Sequence, residues 1–202
     1  MPLLQEDVLR SRGAYDARVK GKSATQLLRD SHRRDHYDIF LSHSFLDAEL
    51  ILGIKLLLED LGYTVYVDWI DDPQLSRDHI TKATAETLRR RMQMCTSMLY
   101  AATDNAPSSK WMPWELGYFD GLRKGKIAVL PLAKSSIGGF KGQEYLDLYP
   151  HFQIEPRDTG YTLVRKLDSV TSSYTYAPRV QPINEWIGAA HTHRTTYNYR
   201  RY

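Results

Sequence analysis

Cysteine is nearly absent: Cys95 is the one thiol in 202 residues. That excludes an internal disulfide framework and any cysteine-cluster metal site, and it fits a reducing cytoplasm, the expected location. Long apolar runs are missing as well. No stretch approaches the roughly 18 residues of a membrane-spanning helix, and mean hydropathy is -0.48, so no membrane contact is expected. The opening MPLLQEDVLRSRG lacks the basic-then-apolar layout of a secretory signal. Nor does one sign of charge dominate. Against 27 Lys and Arg stand 24 Asp and Glu, a net +3, too balanced to call for a nucleic-acid partner. What is present is ordinary globular material, 42% apolar and 25% charged, enough for one α/β domain with short extensions.

Residues 1–36 carry eight Lys and Arg against five Asp and Glu and read as an N-terminal helical arm outside the core. Its helical patterns run from Leu4 to about Val19, interrupted at Gly13, and from Ser23 to Arg34. The middle alternates. Tyr37–Ser42 (YDIFLS) is a buried-strand pattern, followed by a helix with Leu46, Leu50, Ile54, Leu57, Leu58 and Leu61 at helical spacing. Ser44 and Asp47 give a weak capping-box signal, and Gly62 a helix stop. Thr64–Trp69, Ser97–Thr103 and Ile127–Ala133 are further strands, with helices over Ile80–Met94 and from about Trp111 to Arg123 between them. Nearly all-apolar strands alternating with helices predict a flavodoxin-like α/β sandwich, a central parallel sheet with helices on both faces. Farther on, Tyr145–Tyr149 reads as a helical turn and Phe152–Glu155 as an edge strand. Tyr161–Tyr176 favours a hairpin, and Pro182–Ala190 a short helix anchored by Trp186. The domain is therefore placed at 37–155, an extension packed on it at 156–190, and an exposed basic tail at 191–202.

In such a sheet, ligands bind outside the carboxyl ends of the strands. That rule selects Ser42-His43-Ser44, Asp68-Trp69 with its following loop, and Thr103 through Glu115. The segment WMPWE (111–115) is the most informative, since large apolar groups surround one carboxylate expected in the first turn of a helix. The helix start favours the ionised form and burial opposes it. A carboxylate so placed suits a reaction that develops positive charge, notably cleavage of an N-glycosidic bond through an oxocarbenium-like transition state. The plain alternative is that Glu115 merely favours a helix start. Trp69, Trp111 and Trp114 have packing as their alternative role, Asp68 a strand-end cap, and His43 a hydrogen-bonded strand end. Cys95 reads as a small buried hydrophobe. His191 and His193 lack further ligands, so no metal is expected, and Arg89-Arg90-Arg91 is ordinarily a solvated helix face.

YDIFLSHS, the leucine-rich helix, LGYTVYVDW, a polar loop, a strand, and Trp111-x-x-x-Glu115 occur here in the order found in Toll/interleukin-1 receptor (TIR) domains, which residues 37–155 resemble. WMPWELGYFDGL and FKGQEYLDLYP particularly resemble small bacterial TIR proteins, including those of Thoeris-type antiphage systems. The resemblance implies an NAD-cleaving enzyme with Glu115 as catalytic residue. It implies substrate contacts from Ser42, His43, Ser44, Asp68, Trp69 and Trp111, with NAD+ as substrate and no separate cofactor. It further implies self-association through TIR surfaces, and a downstream effector that reads an ADP-ribose-derived product, linear or cyclic. The chain departs from the family in having Ser44 and Phe45 where eukaryotic enzymes often place Arg, and Asp71-Asp72-Pro73 in the loop that usually holds Pro-Gly. Two other readings stay open: a non-catalytic TIR assembly or adaptor module, and a nucleoside deoxyribosyltransferase-like enzyme.

Overall fold

The computed structural model of the chain describes residues 4–29, 34–67, 81–133, 143–157, 160–167 and 179–188. A short strand β1 (Leu4–Gln5) leads into helices α1 (Glu6–Val19) and α2 (Ala24–Arg29). The alternation follows as β2 (Tyr37–Ser42), α3 (Ala48–Asp60), β3 (Val65–Tyr66), α4 (Lys82–Gln93) and β4 (Cys95–Ala102). It continues with α5 (Trp111–Leu122), β5 (Ile127–Ala133) and β6 (His151–Arg157). Strands β7 (Gly160–Leu167) and β8 (Arg179–Pro182) and helix α6 (Ile183–Ile187) complete the described chain.

All the described strands join one sheet in the order β3-β2-β4-β5-β6-β7-β8, with β1 on β5. The stretch from β3 to β6 is parallel, and β7 and β8 extend it antiparallel. Numbered by themselves, the five parallel strands run second, first, third, fourth, fifth, which is the flavodoxin-like arrangement. Because side chains alternate along each strand, two separate cores form. Ile39, Leu41, Leu99, Ala101, Ala128 and Leu130 face α3, α1 and α6. Phe40, Met98, Tyr100, Ala102, Ile127 and Val129 face α4 and α5. The α/β sandwich expected from the alternation is the observed fold.

Several details differ from expectation. The N-terminal residues were expected outside the core, yet Leu9 and Ala17 of α1 are buried in it. The reason is α3, which is buried nearly all round, Leu50, Ile51, Leu52, Ile54, Leu57 and Leu58 included, so that one side needs the sheet and the other a covering helix. Helix α1 runs unbroken through Gly13, because that glycine is a contact point. A Cβ on Gly13 would stand 2.1 Å from the Glu49 carbonyl oxygen, and one on Gly53 would stand 2.1 Å from that of Leu9. Strand β6 is longer than expected and is no edge, since β7 pairs along it from His151 to Arg157. The remaining helix covers Ile183–Ile187, with Trp186 against Phe152 at a ring separation of 4.9 Å. As expected, Gly62 ends its helix in a left-handed conformation, φ 90°, and Cys95 is buried.

The helix crossing gives a direct test. Gly53→Ala forces a methyl group into backbone and is expected to cost about 1–3 kcal/mol in urea unfolding. Gly121→Ala meets open space in α5 and is expected to be neutral or stabilising by up to about 1 kcal/mol.

Candidate active site

Strand order turns back on itself between β2 and β4, and the carboxyl ends of the strands at such a turning point are where these sheets bind ligands. Ser42 is the last residue of β2, and it lies directly opposite Tyr100 of β4. Helix α5 approaches the same point. Its start is prepared by a 3-10 turn, Ala106–Ser108, and by Ser109, whose hydroxyl accepts the Met112 N–H at 3.3 Å. Trp111, Met112, Glu115, Leu116 and Phe119 then form the buried side of the helix. Glu115 is thus a carboxylate standing in a row of core residues. It is the fifth residue of the helix, not part of the first turn as expected, so the helix terminus acts on it more weakly.

Glu115 has no solvent exposure. Taking a carboxylate out of water is costly unless hydrogen bonds replace hydration. The Ser42 hydroxyl supplies one, donating to Glu115 Oε2 at 2.7 Å across 73 residues of sequence. Tyr100 is also fully buried beside this pair. Its burial first, then the Tyr145 hydroxyl and the Glu115 carboxylate, push its ionisation far above the ordinary phenol range, so it remains a neutral donor. Tyr145 in turn bonds to Gln143. Trp111 packs edge-on against Trp114 at 5.4 Å, which stacks on Tyr118 at 5.8 Å. Arg89 sits over both outer rings at 5.5 and 5.9 Å, so at least this arginine of the triplet packs on aromatic rings.

A second buried carboxylate stands at the same end of the sheet. Asp47 has no solvent exposure and ends a 3-10 turn that follows Ser44. Its Oδ2 accepts from the Thr103 hydroxyl at 2.7 Å, and its Oδ1 accepts from Asn105 Nδ2 at 2.8 Å and from Arg10 at 2.7 Å. Arg10 also reaches Glu6 at 3.3 Å. These acids hold the Arg10 guanidinium above its usual range against the opposing effect of its own burial. The loop after β2, the loop after β4 and helix α1 are tied at one atom group.

Among the expected site residues, Ser42 and Glu115 are brought into contact, and Trp111 is buried one helical turn before Glu115. His43 and Ser44 are buried next to Ser42. The His43 ring is within 2.9 Å of the Leu41 carbonyl oxygen, and the Ser44 carbonyl accepts the Asp47 N–H at 3.2 Å. Asp68 and Trp69 lie outside the described residues, as do His191 and His193. Asp47, read from sequence only as a helix-start signal, and Arg10, placed in a peripheral arm, were missed. Tyr100 was missed too, although its register opposite Ser42 follows once the strands are aligned. Among the described residues, no group of three or more His, Cys, Asp or Glu side chains gathers as a metal site would require. No described helix is long and apolar enough to cross a membrane.

The central contact is open to a double-mutant cycle. Ser42→Ala is expected to lower stability by about 1.5–3 kcal/mol, because the hydrogen bond is to a buried charged group. In a Glu115→Leu background, where the hydroxyl has lost this acceptor, the same Ser42→Ala change should cost much less. Strict additivity in urea unfolding would contradict the contact.

No protein-family profile matches the chain. It is 60% identical over 116 residues to ThsB' of Bacillus cereus (strain MSX-D12), named as a probable 3' cyclic ADP-D-ribose synthase; the match covers 57% of this chain and 60% of that one. It is 33% identical over 89 residues to TIR2 of Cytobacillus dafuensis, named as a candidate cyclic ADP-D-ribose synthase, covering 44% and 24%. The chain therefore spans less than two thirds of either relative. Motif, fold and relatives agree: the chain is similar to bacterial TIR proteins, ThsB' and TIR2 among them, and has the flavodoxin-like α/β fold that this resemblance implies.

Proposed function

We propose that the chain cleaves the bond between nicotinamide and ribose in NAD+ and joins the ribosyl carbon to an acceptor within the same molecule, giving a cyclic ADP-ribose signal. The observation that carries this reading is the buried Ser42–Glu115 pair at the turning point of the sheet. The names of the two relatives support the same chemistry. As the glycosidic bond lengthens, positive charge builds on the ribosyl carbon and its ring oxygen. Glu115 would meet that charge in a low-dielectric surrounding, where a carboxylate is worth far more than in water. The Ser42 hydroxyl fixes the carboxylate's orientation through a charge-assisted hydrogen bond. Nicotinamide takes the bonding pair and loses its positive charge, so it departs neutral and needs no general acid. The acceptor forms the new bond to the ribosyl carbon and releases its proton. Trp111 offers an aromatic wall near the departing ring.

Since Glu115 has no exposed surface, substrate must reach it through a rearrangement of what covers it, and assembly with further copies is the natural trigger. Phe45 and Leu46, 55% and 66% exposed on the turn after β2, provide apolar surface beside the site for such a contact. In this reading the protein works in the cytoplasm, within an antiphage system of the Thoeris type that it resembles, and an effector protein senses the product. No cofactor beyond NAD+ as substrate is required.

Glu115→Gln keeps the shape and a hydrogen-bonding group at Ser42 but removes the charge. It is expected to reduce nicotinamide release from NAD+ by about 100- to 1000-fold, without lowering the melting temperature, because replacing a buried charge is often neutral or stabilising. Chromatography of the second product separates a cyclic nucleotide from linear ADP-ribose. Equal release by both proteins would overturn the role of Glu115. Nucleoside turnover without NAD+ turnover would point to the deoxyribosyltransferase-like reading, and self-association untouched by the substitution, with no turnover, to an adaptor.

A further inference from the structure

We infer that Arg10 and Asp47 are positioning residues of this site, and that helix α1, which precedes the α/β unit, is part of the catalytic framework. The inference rests on the proposed NAD+ cleavage for its kinetic readout and on geometry for its substance. Productive attack demands that Glu115 and Ser42 keep their relative placement, yet they belong to different connections: Ser42 ends β2, and Glu115 follows the loop that leaves β4. The backbone ladder between β2 and β4 ends at Ser42 opposite Tyr100 and does not reach the loops. Asp47 ties the two loops together. From five residues beyond Ser42 it accepts hydrogen bonds from Thr103 and Asn105, in the loop that leaves β4, at 2.7 and 2.8 Å. A carboxylate with no exposure is stable in that role only if its charge is met. The described countercharge on Asp47 comes from Arg10 at 2.7 Å, 37 residues away on α1.

The placement of α1 is not accidental. Strand β1 pairs with the carboxyl end of β5, Leu4 opposite Leu132, which starts α1 at the edge of the sheet where the site lies. The Gly13–Gly53 crossing then sets its distance from α3. A second arginine on the same helix serves as an internal comparison. Arg12 pairs with Asp60, the last residue of α3, at the end opposite Asp47, where both side chains are partly exposed.

The test compares Arg10→Ala, Arg10→Lys and Arg12→Ala, each checked by thermal melting, in steady-state NAD+ cleavage. Arg10→Ala is expected to lower kcat by about 10- to 100-fold, the scale of a small misplacement of reacting groups, with KM changed far less. Arg10→Lys should recover part of the loss. Because the Arg10 side chain is 32% exposed, millimolar guanidinium should also restore activity to Arg10→Ala. Arg12→Ala should match the parent. Equal kinetics for Arg10→Ala and Arg12→Ala, or a loss explained by unfolding and restored by neither lysine nor guanidinium, would overturn the inference. If the parent chain cleaves no NAD+, that failure belongs to the proposed reaction, and hydrogen exchange decides the inference by itself. Arg10→Ala should then speed exchange in residues 42–47 and 103–105 while Arg12→Ala does not; unchanged exchange there would overturn it.

Discussion

One buried carboxylate, Asp47, sits where three separate parts of the chain have to meet. The parallel sheet brings β2 and β4 side by side through backbone hydrogen bonds, but backbone pairing stops where the strands stop. Beyond that edge the chain is loop, and loops keep a shape only if something other than the ladder holds them. Asp47 holds the loop after β2 to the loop after β4 through Thr103 and Asn105, and Arg10 balances its charge. Remove the ion pair and an uncompensated charge remains in a place without water, which is why the arrangement behaves as a unit.

That bracing matters because the neighbouring carboxylate is in an unfavourable position. Glu115 occupies a place in the inner row of α5 that Met112, Leu116 and Phe119 mark as apolar. A leucine there would serve the core better. The Ser42 hydroxyl softens the conflict without removing it. Conflicts of this kind collect at functional sites, since a charge kept from water acts strongly on whatever charge develops beside it. The same burial explains why access must be controlled.

The sequence disclosed the layout well where local pattern decides the outcome. Strand β2 has the predicted bounds, Tyr37–Ser42, because a β-branched and aromatic run between polar flanks leaves few alternatives. Glu115 stood out as a lone carboxylate among tryptophans at a strand-to-helix junction; the structure adds its burial against Ser42, and its catalytic role stands as a proposal. The covering role of α1 was legible in principle: Ile51 and Leu52 extend the apolar surface of α3 beyond what one sheet can cover. What could not be read was anything set by distant pairing. Arg10 and Asp47 are 37 residues apart, and neither is unusual in its own neighbourhood. The continuation of the sheet through β7 and β8 likewise depends on long-range partners. Asp68 and Trp69 fall outside the described residues, so their expected roles stand as proposals.

The central claim is that the Ser42–Glu115 pair faces the ribosyl carbon of bound NAD+. The most direct measurement is a structure of the chain with carba-NAD, in which a methylene replaces the ribose ring oxygen and cleavage is blocked. The account predicts the nicotinamide-bearing carbon within about 3–4 Å of the Glu115 carboxylate, with the Ser42 hydroxyl still donating to it and the loops around Asp47 intact. A ligand seated elsewhere, with Glu115 still sealed in the core, would contradict it.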